Sequence, residues 1–491
     1  MNKTQRKRGR GRPLQVVALS IALGATCSVA LPVATASAQS LRDALASAYK
    51  YNPRLDAERA RQRATDEEVA RAHSGYRPTV AGSADVGYNR TDSKPIGSSN
   101  VGGETHPKGY GVSASQPIFN GFRTLNGVRV AEATVRAGRE TLRNVEQSVL
   151  LESATAYVDV VRDQSIVKLR ENNVEVLTRE LKATQDRFSV GEVTRTDVAQ
   201  AQARRAAAIS ALDLARANLK VSRANFERSI GYPPGALSEQ RPPARLLPKS
   251  QTEALDLPLK ENPAIVAALY TEQAARYTVD VTWGELLPSV RVDATYSHRY
   301  DSSLSVDEVE STTVTGRLDV PFYEAGDVRA RVRQAKHTHV SRLQQIEQAR
   351  TEAKAATISA WSNLVAARAA IEADQVQVSS TATALAGVRE EERVGQRTLL
   401  DVLNAEQEAL NAQVQLVTDK RNLVVASYAV LSAVGRLSIP ELGNTEIAYD
   451  VEAHYNEVRR KWWGISITDS HGHKRWMDLW ETHGQKHEPV K

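Results

Sequence analysis

Histidines, cysteines and short catalytic motifs are the usual carriers of chemistry, and this sequence of 491 residues offers few of them. It contains no glycine-rich phosphate loop, no GxSxG motif and no HExxH motif. His337 and His339 are two residues apart in a segment predicted to be helical, so they lie on different faces and are poor metal co-ligands. Cys27 is the only cysteine. We therefore expect no enzyme, no metal site and no cofactor.

Two repeated glycine turns, each followed by an acid, are the remaining candidates. The first runs from Val190-Gly191 through Thr194 to Asp197, and the second from Val394-Gly395 through Thr398 to Asp401. A glycine near a helix end, followed by a capping residue, marks a helix stop and a restart. A carboxylate in the first turn of the new helix is favoured by the helix dipole. Each pattern therefore predicts a tight turn between two helices.

Very long helices are predicted to position these turns. After Gly121 the chain runs to about Arg187 without a proline, and such a segment forms a helix of about 100 Å. Its apolar residues recur every three or four positions, which is typical of a coiled-coil seam. The segment from Val328 to Glu391 repeats the arrangement. Each half of the chain therefore predicts a long helical hairpin whose turn lies far from the rest of the fold.

The second half of the sequence repeats the first at an offset of 204 to 210 residues. Asn52-Pro53 returns as Asn262-Pro263, and Gly231 returns as Gly435. Each half reads as helix, β-hairpin, very long helix, turn and helix. The predicted divisions are a signal peptide (1–38), a first repeat (39–235), a Pro-rich linker (236–258), a second repeat (259–440) and a C-terminal periplasmic tail (441–491).

Four short segments alternate apolar and polar residues with the period of a β-strand. They begin near Thr79, Tyr110, Val290 and Val314, and about ten residues is the length that a tilted strand needs to cross a bilayer. A half-buried sheet in a soluble domain gives the same alternation. The polar segments 91–107 and 299–312, predicted to be loops, favour an outer-membrane barrel. Four strands cannot close a barrel, so other copies must complete it.

The first 38 residues have the features of a secretory signal. A basic segment precedes an apolar stretch from about Leu14 to Val33 and a small-residue cleavage site at Ala36-Ser37-Ala38. A membrane anchor is the alternative. Six of the 64 Lys and Arg residues lie in this segment. The predicted mature chain therefore has 58 Lys and Arg residues, equal in number to its 58 Asp and Glu residues. Its charge therefore gives no indication of a nucleic-acid partner.

Several motifs, in order along the chain, resemble the TolC family of outer-membrane efflux and secretion channels. They are Gln116-Pro117-Ile118-Phe119, Ala154-Thr155-Ala156-Tyr157, Arg187-Phe188-Ser189-Val190-Gly191 with Thr196-Asp197-Val198, and Val394-Gly395-Gln396-Arg397-Thr398 with Asp401-Val402-Leu403-Asn404. The resemblance implies an α+β homotrimer: an outer-membrane β-barrel with four strands per chain, continued by a long periplasmic α-helical coiled-coil tunnel. It also implies contact with outer-membrane lipid, a periplasmic adaptor (membrane fusion) protein and an inner-membrane pump. The adaptor would dock at Val190, Gly191, Val394 and Gly395.

The resemblance further implies a gate at the channel entrance. Three copies of Asp401 would form an acidic ring, and charged rings select cations. Asn404 occupies the position at which the family often has a second acid. The ring would therefore contain three carboxylates and not six. Asp197 and Arg397 match two members of a latch between the turns, but Glu392 replaces its usual aromatic partner. The alternative for Asp401 is an exposed acid at a helix start.

A competing class of function is a periplasmic coiled-coil scaffold or adaptor that conducts nothing. The tail is rich in Trp and His, with Trp462-Trp463, His471, His473, Trp476 and Trp480. It reads either as a metal-binding or wall-docking segment, or as a partly disordered extension along the periplasmic helices. The sequence does not name the exported substrate.

Overall fold

The computed structural model describes residues 39–93, 96–97, 101–443, 445–468 and 474–475. The predicted signal peptide and Cys27 lie outside the described residues, as do His471, His473, Trp476 and Trp480 of the tail. Long helices and a small antiparallel sheet make up the described chain, which confirms the α+β class.

Helices dominate the described residues. They are α1 (Leu41–Tyr51), α2 (Pro53–Ser74), α3 (Arg123–Ser189), α4 (Arg195–Ile230), α5 (Gln251–Asp256), α6 (Pro258–Glu261), α7 (Pro263–Trp283), α8 (Asp327–Arg393), α9 (Leu399–Val434) and α10 (Ala453–Val458). Asn52 and Asn262 start α2 and α7 in the same way. Each side-chain oxygen accepts the N–H two residues on, at 3.0 and 2.9 Å, and a proline takes the first helical position. The repeated Asn-Pro pair is therefore a helix start.

Two pairs of helices form long hairpins. The helices α3 and α8 contain 67 residues each, and their partners α4 and α9 contain 36 each. At ~1.5 Å per residue the longer pair extends about 100 Å and the shorter pair about 54 Å. Small side chains such as Ala208 and Ala412 fill buried positions, so neighbouring helices approach closely. No helix among the described residues has both the length and the apolar composition needed to cross a membrane.

The largest hydrophobic core lies midway along α3, where α1 and the C-terminal ends of α4 and α9 meet. Tyr157, Phe226 and Leu431 are fully buried there. The Tyr157 hydroxyl donates to the Gln39 carbonyl at 2.6 Å, so its polar end is satisfied inside the core. Each large side chain buried in this way contributes about 1.5–3 kcal/mol. The core therefore fastens the two hairpins to each other at the ends remote from their turns.

The strands are β1 (Thr79–Val86), β2 (Asn89–Ser93), β3 (Val101–Thr105), β4 (Lys108–Asn120), β5 (Ser289–Ser303), β6 (Val306–Asp319), β7 (Ile467–Thr468) and β8 (Lys474–Arg475). A four-stranded antiparallel sheet has the order β1-β4-β5-β6, while β2 pairs with β3 and β7 with β8. The strands β1 and β6 are thus the two edges of the main sheet.

The register of the main sheet separates apolar from polar residues. Ala114 pairs with Ala294, which pairs with Val314, and these residues share the apolar face. One residue along, Ser115 pairs with Asp293 on the opposite face, and the two side chains are hydrogen-bonded at 2.6 Å. The alternation predicted from sequence therefore describes two chemically different faces of one sheet.

The prediction that segments 91–107 and 299–312 are loops is wrong, because both contain β-strands. In the first segment β2 and β3 form a two-stranded ribbon, and in the second β5 continues to Ser303 and β6 starts at Val306. The reason is that Val309, Thr312 and Thr313 favour extended backbone, and an antiparallel ladder gains hydrogen bonds by continuing past the alternating region.

All four strands of the main sheet join the helices at the same end of the sheet, which we name the foot of the sheet. Asn120, Ser289 and Asp319 lie opposite one another there, and β1 starts nearby at Thr79, opposite Ser115. Gly121 follows β4 with a φ of +67°, and a Cβ there would lie 2.2 Å from the Gly284 carbonyl oxygen. Glycine therefore permits the close crossing of the two chain segments that join sheet and helices.

Candidate channel entrance at the helical tips

The turns α3–α4 (residues 187–197, the first tip) and α8–α9 (residues 391–401, the second tip) have the same backbone. Gly191 and Gly395 have φ of +85° and +78°. In the first tip the Glu192 N–H donates to the Arg187 carbonyl at 3.0 Å, and the equivalent bond in the second tip is 2.8 Å. This is the Schellman arrangement, in which a glycine in the left-handed region lets the last helical carbonyls find donors.

Both tips restart their helices with the same capping box. Thr194 and Asp197 exchange hydrogen bonds at the start of α4, and Thr398 and Asp401 do so at the start of α9. The Asp401 Oδ2 atom accepts from the Thr398 N–H at 3.0 Å and from its hydroxyl at 2.8 Å. These bonds, with the nearby Arg397 charge, hold the pKa of Asp401 below its usual range. Asp401 is therefore an ionised side chain held in a fixed orientation.

Asn404 lies one turn after Asp401 and contacts the other hairpin. Its side-chain oxygen accepts a hydrogen bond from the Arg204 guanidinium of α4 at 2.6 Å. Sequence reasoning missed Arg204, because nothing in the local pattern of α4 indicates which helix its outer face will meet. The contact places a positive charge beside Asn404, the position at which the resemblance implies that a second acid is common.

The predicted latch residues do not meet one another within the described chain. Arg397 pairs with Glu391 at 2.9 Å, and Asp197 caps its own helix. Glu392 instead pairs with Arg187 of α3 at 2.6 Å. The residue in the aromatic partner's position thus carries an ion pair between the two hairpins, just behind the tips.

A group of charged side chains lies deeper between the hairpins. Glu406 is 6% exposed, pairs with Arg389, and has one carboxylate oxygen with no hydrogen-bond partner in the described part of the chain. Burial, and then the charges of Glu406 and Glu392, raise the pKa of Glu180 on α3. A signal was present in the sequence: Glu180 and Glu406 each follow a seam leucine, Leu177 or Leu403, by three positions.

Apolar side chains project from both tips. Val190 is 70% exposed and Val394 is 69% exposed, each immediately before its glycine. Behind them, Leu399 and Leu403 of α9 pack with Leu177 of α3 in a small core. The tips therefore combine a fixed backbone, a packed base and exposed valines.

Comparison with known proteins gives one family. The family model described as "Outer membrane efflux protein" matches residues 44–232 and 254–436. The chain is 37% identical over 457 residues to the outer membrane efflux protein BepC of Brucella suis biovar 1, covering 93% of this chain and 97% of the relative. It is 24% identical over 409 residues to the outer membrane protein TolC of Vibrio cholerae serotype O1, covering 82% and 92%.

Solved structures agree on the fold. The outer membrane channel CmeC of Campylobacter jejuni superposes with a TM-score of 0.71 at 18% identity, covering 86% of this chain and 89% of that one. The resemblance found in the sequence motifs is thereby confirmed. The chain belongs to the outer membrane efflux protein family and has the fold of its outer-membrane channels.

Proposed function

We propose that this outer-membrane protein is one subunit of a homotrimeric exit channel that serves a tripartite efflux pump or a type I secretion system. One observation carries the proposal: a four-stranded sheet with two open edges is joined at its foot to two helical hairpins about 100 Å long. Unpaired backbone groups at sheet edges are costly in lipid. If β6 of each copy pairs with β1 of the next, three copies form a closed barrel that has no unpaired edge strand.

The two faces of the sheet fit the two sides of such a barrel. Val80 and Val314 belong to the apolar face that would contact lipid. On the other face Arg291 pairs with Asp293 at 3.2 Å, and Asp293 accepts from Ser115. A layer of paired charges near the foot suits a water-filled lumen. Movement through such a lumen requires no catalysis, so the protein acts as a conduit and not as an enzyme.

The helical tips form the entrance in this proposal. Three copies of Asp401 face the axis as an acidic ring that attracts cations. Within one chain the capping bonds lower the pKa of Asp401, which favours an ionised carboxylate at neutral pH. Arg204 beside Asn404 offsets part of the negative charge one turn further in. The proposed entrance therefore has one ring of Asp401 carboxylates, with the cationic Arg204 one turn behind it.

The Arg187–Glu392 pair takes the place of a latch. It joins α3 to α8 at 2.6 Å, and α8 cannot swing away from α3 without breaking it. Docking of a periplasmic adaptor on the exposed Val190 and Val394 would supply the free energy to open the entrance. Both valines lie within four residues of the pair.

The test is conductance by the purified assembly in planar bilayers, with its mass measured in mild detergent. The account predicts a trimer that conducts ions and that is blocked by multivalent cations added on the periplasmic side. A monomer, or a trimer that never conducts, would favour the non-conducting scaffold instead.

A further inference from the structure

The chain beyond α9 returns along the helices to the foot of the sheet. It lies outside the region that the family model matches, which ends at residue 436. Three polar contacts fasten it to α2, α3 and α1: His454 to Asp66 at 3.2 Å, Glu452 to Arg139 at 3.1 Å, and the Tyr449 N–H to the Tyr49 hydroxyl at 2.9 Å. Asp66 is almost fully buried, so this docking is a fixed part of the fold.

The docked segment ends beside the start of β1. Arg77, two residues before β1, donates to the Lys461 carbonyl at 2.8 Å, and its guanidinium lies 4.6 Å from the Trp462 ring. The side chains of this part of the chain are largely exposed. Trp462 is 70% exposed, Trp463 91% and Ile465 86%. Three large apolar side chains in four residues are therefore presented to the surroundings at the foot of the sheet.

A basic cleft of about 410 Å³ lies directly behind these side chains. Its lining includes three guanidinium groups, one carboxylate and one imidazole, from Arg77, Arg459, Arg460, Glu132 and His73. Guanidinium groups bind phosphate with paired hydrogen bonds. Tyr76, Tyr455 and Trp462 supply its aromatic walls. The cleft has the chemistry of a phosphate-binding site bordered by aromatic surface.

The apolar face of the sheet continues into this region. Tyr76, which lines the basic cleft, also borders a second cavity with Ile118 and Phe119. Phe119 pairs with Val290 across β4 and β5, on the face that carries Ala294 and Val314. The Trp462–Ile465 segment and the proposed lipid-facing surface of the barrel are therefore joined through Tyr76 and Phe119.

We propose that residues 459–467 form a membrane-interface anchor that binds phospholipid of the periplasmic leaflet. Trp462, Trp463 and Ile465 enter the boundary between headgroups and acyl chains, where tryptophan is favoured, and the arginine cleft holds the phosphate of a headgroup. The proposal rests on the proposed function, since that function places the foot of the sheet at the periplasmic face of the membrane. Lipid is favoured over other occupants because the apolar segment is continuous with a surface that must already face lipid.

Site-directed spin labelling of the full trimer in phospholipid nanodiscs tests this directly. The mature chain predicted from the sequence has no cysteine, so Trp463→Cys gives one label per subunit. Val314→Cys, on the apolar face of the sheet, is the lipid reference, and Leu214→Cys, 63% exposed on α4, is the aqueous reference. We expect the label at 463 to be accessible to oxygen and shielded from a water-soluble nickel chelate, at shallower depth than the label at 314.

The two references separate the possible failures. A label at 463 as open to the nickel chelate as that at 214, while 314 lies in lipid, overturns the anchor and leaves the channel intact. A label at 463 shielded from both reagents places the segment against a neighbouring subunit, which also overturns the anchor. A water-exposed label at 314 contradicts the proposed function itself.

Phospholipid retention tests the cleft. Native mass spectrometry of the detergent-released trimer should show at least a threefold loss of bound phospholipid in the Arg459→Gln/Arg460→Gln variant, with the trimer and its conductance unchanged. Excess inorganic phosphate at matched ionic strength should displace little of the lipid, because it lacks the acyl chains. Equal retention by both proteins, or full displacement by phosphate, would overturn the lipid assignment.

Discussion

The two tips share a backbone and differ in the side chains that they place between the hairpins. Each has a glycine in the left-handed region and a Thr–Asp capping box. At the two contacts between the hairpins nearest the tips, however, the first hairpin supplies the donors Arg187 and Arg204. The second supplies the acceptors Glu392 and Asn404.

This difference shows which features of a repeated element can diverge. Turn geometry favours a glycine in the left-handed region and a capping acceptor at the helix start, because these satisfy backbone groups at the helix ends. The side chains facing the other hairpin have no such constraint. In a contact between two different surfaces, complementary charges can accumulate on the two sides. The proposed trimer alternates the two hairpins around its axis, and we expect the charges between them to affect how the entrance closes.

We expect the largest effect on export from substitutions that disrupt the turn conformation shared by the two tips. Gly191→Pro or Gly395→Pro removes an N–H that is hydrogen-bonded and forces φ to about −65°, far from +85° or +78°. Trimer assembly should survive, because the sheet and the main core lie elsewhere, while export by the living cell should be lost. Gly387→Ala is the control, since Gly387 lies within α8 and a Cβ there would have no other atom within 4 Å outside the neighbouring helix backbone. Full export by both proline variants would remove the docking role of the tips.

A smaller effect is expected from reversing the charge that joins the hairpins. The Arg187→Glu substitution places a negative charge beside Glu392. The two carboxylates repel each other, so we expect the closed entrance to be less stable and the conductance of the isolated trimer to rise several-fold. The added Glu392→Arg substitution should restore the low conductance. Because both side chains are partly exposed, the coupling in the double-mutant cycle should be about 0.5–1 kcal/mol. Zero coupling would show that the pair does not hold the entrance.

Asn404→Asp tests the second contact between the hairpins, in which Arg204 of the first hairpin donates to Asn404 of the second. The new carboxylate would pair with Arg204, so block by trivalent cations should strengthen only slightly. In the Asn404→Asp/Arg204→Gln variant the charge is unpaired, and block should strengthen clearly. Single-channel recordings at matched salt measure both. Identical block in the two variants would mean that Arg204 does not control the potential at the entrance.

The smallest effect concerns stability behind the tips. The pKa of Glu180 is raised in the folded chain, so its contribution is most favourable below its ordinary pKa of 4.5 and is lost as pH rises through the raised value. Glu180→Gln should therefore slow amide hydrogen exchange in the neighbouring turns of α3, α8 and α9 at pH 7. The difference from the native protein, compared at equal pH, should vanish near pH 4. Solvent screening limits the gain to less than about 1 kcal/mol. A larger slowing by Glu180→Gln at pH 4 than at pH 7, each measured against the native protein at the same pH, would contradict the sign.

Local patterns in the sequence predicted the parts of the fold that depend on local chemistry. The glycine turns, the proline-free helices and the two-faced strands each follow from residues close together in the chain. The partners Arg204 and Asn404 are 200 residues apart, and Glu180 and Glu406 are 226 apart, so their meeting depends on the packing of separate helices. The ribbon of β2 and β3 was missed, because it has no regular apolar period. One of the two interpretations of the tail placed it along the helices, where residues 449–454 lie, but its partners Asp66 and Arg139 are distant in sequence. The roles of Asp401, Asn404, Asp197, Arg397 and Glu392 at a gate stay predictions.

The most direct test of the account compares the two matched acids of the tips. Asp197 and Asp401 occupy the same position in the same capping box, and an Asn replacement at either keeps a cap acceptor while removing the charge. In single-channel recordings of the reconstituted trimer, Asp401→Asn should weaken block by trivalent cations and reduce cation selectivity, while Asp197→Asn should leave both unchanged. Equal effects of the two substitutions, or no effect of either, would contradict a pore entrance lined by Asp401.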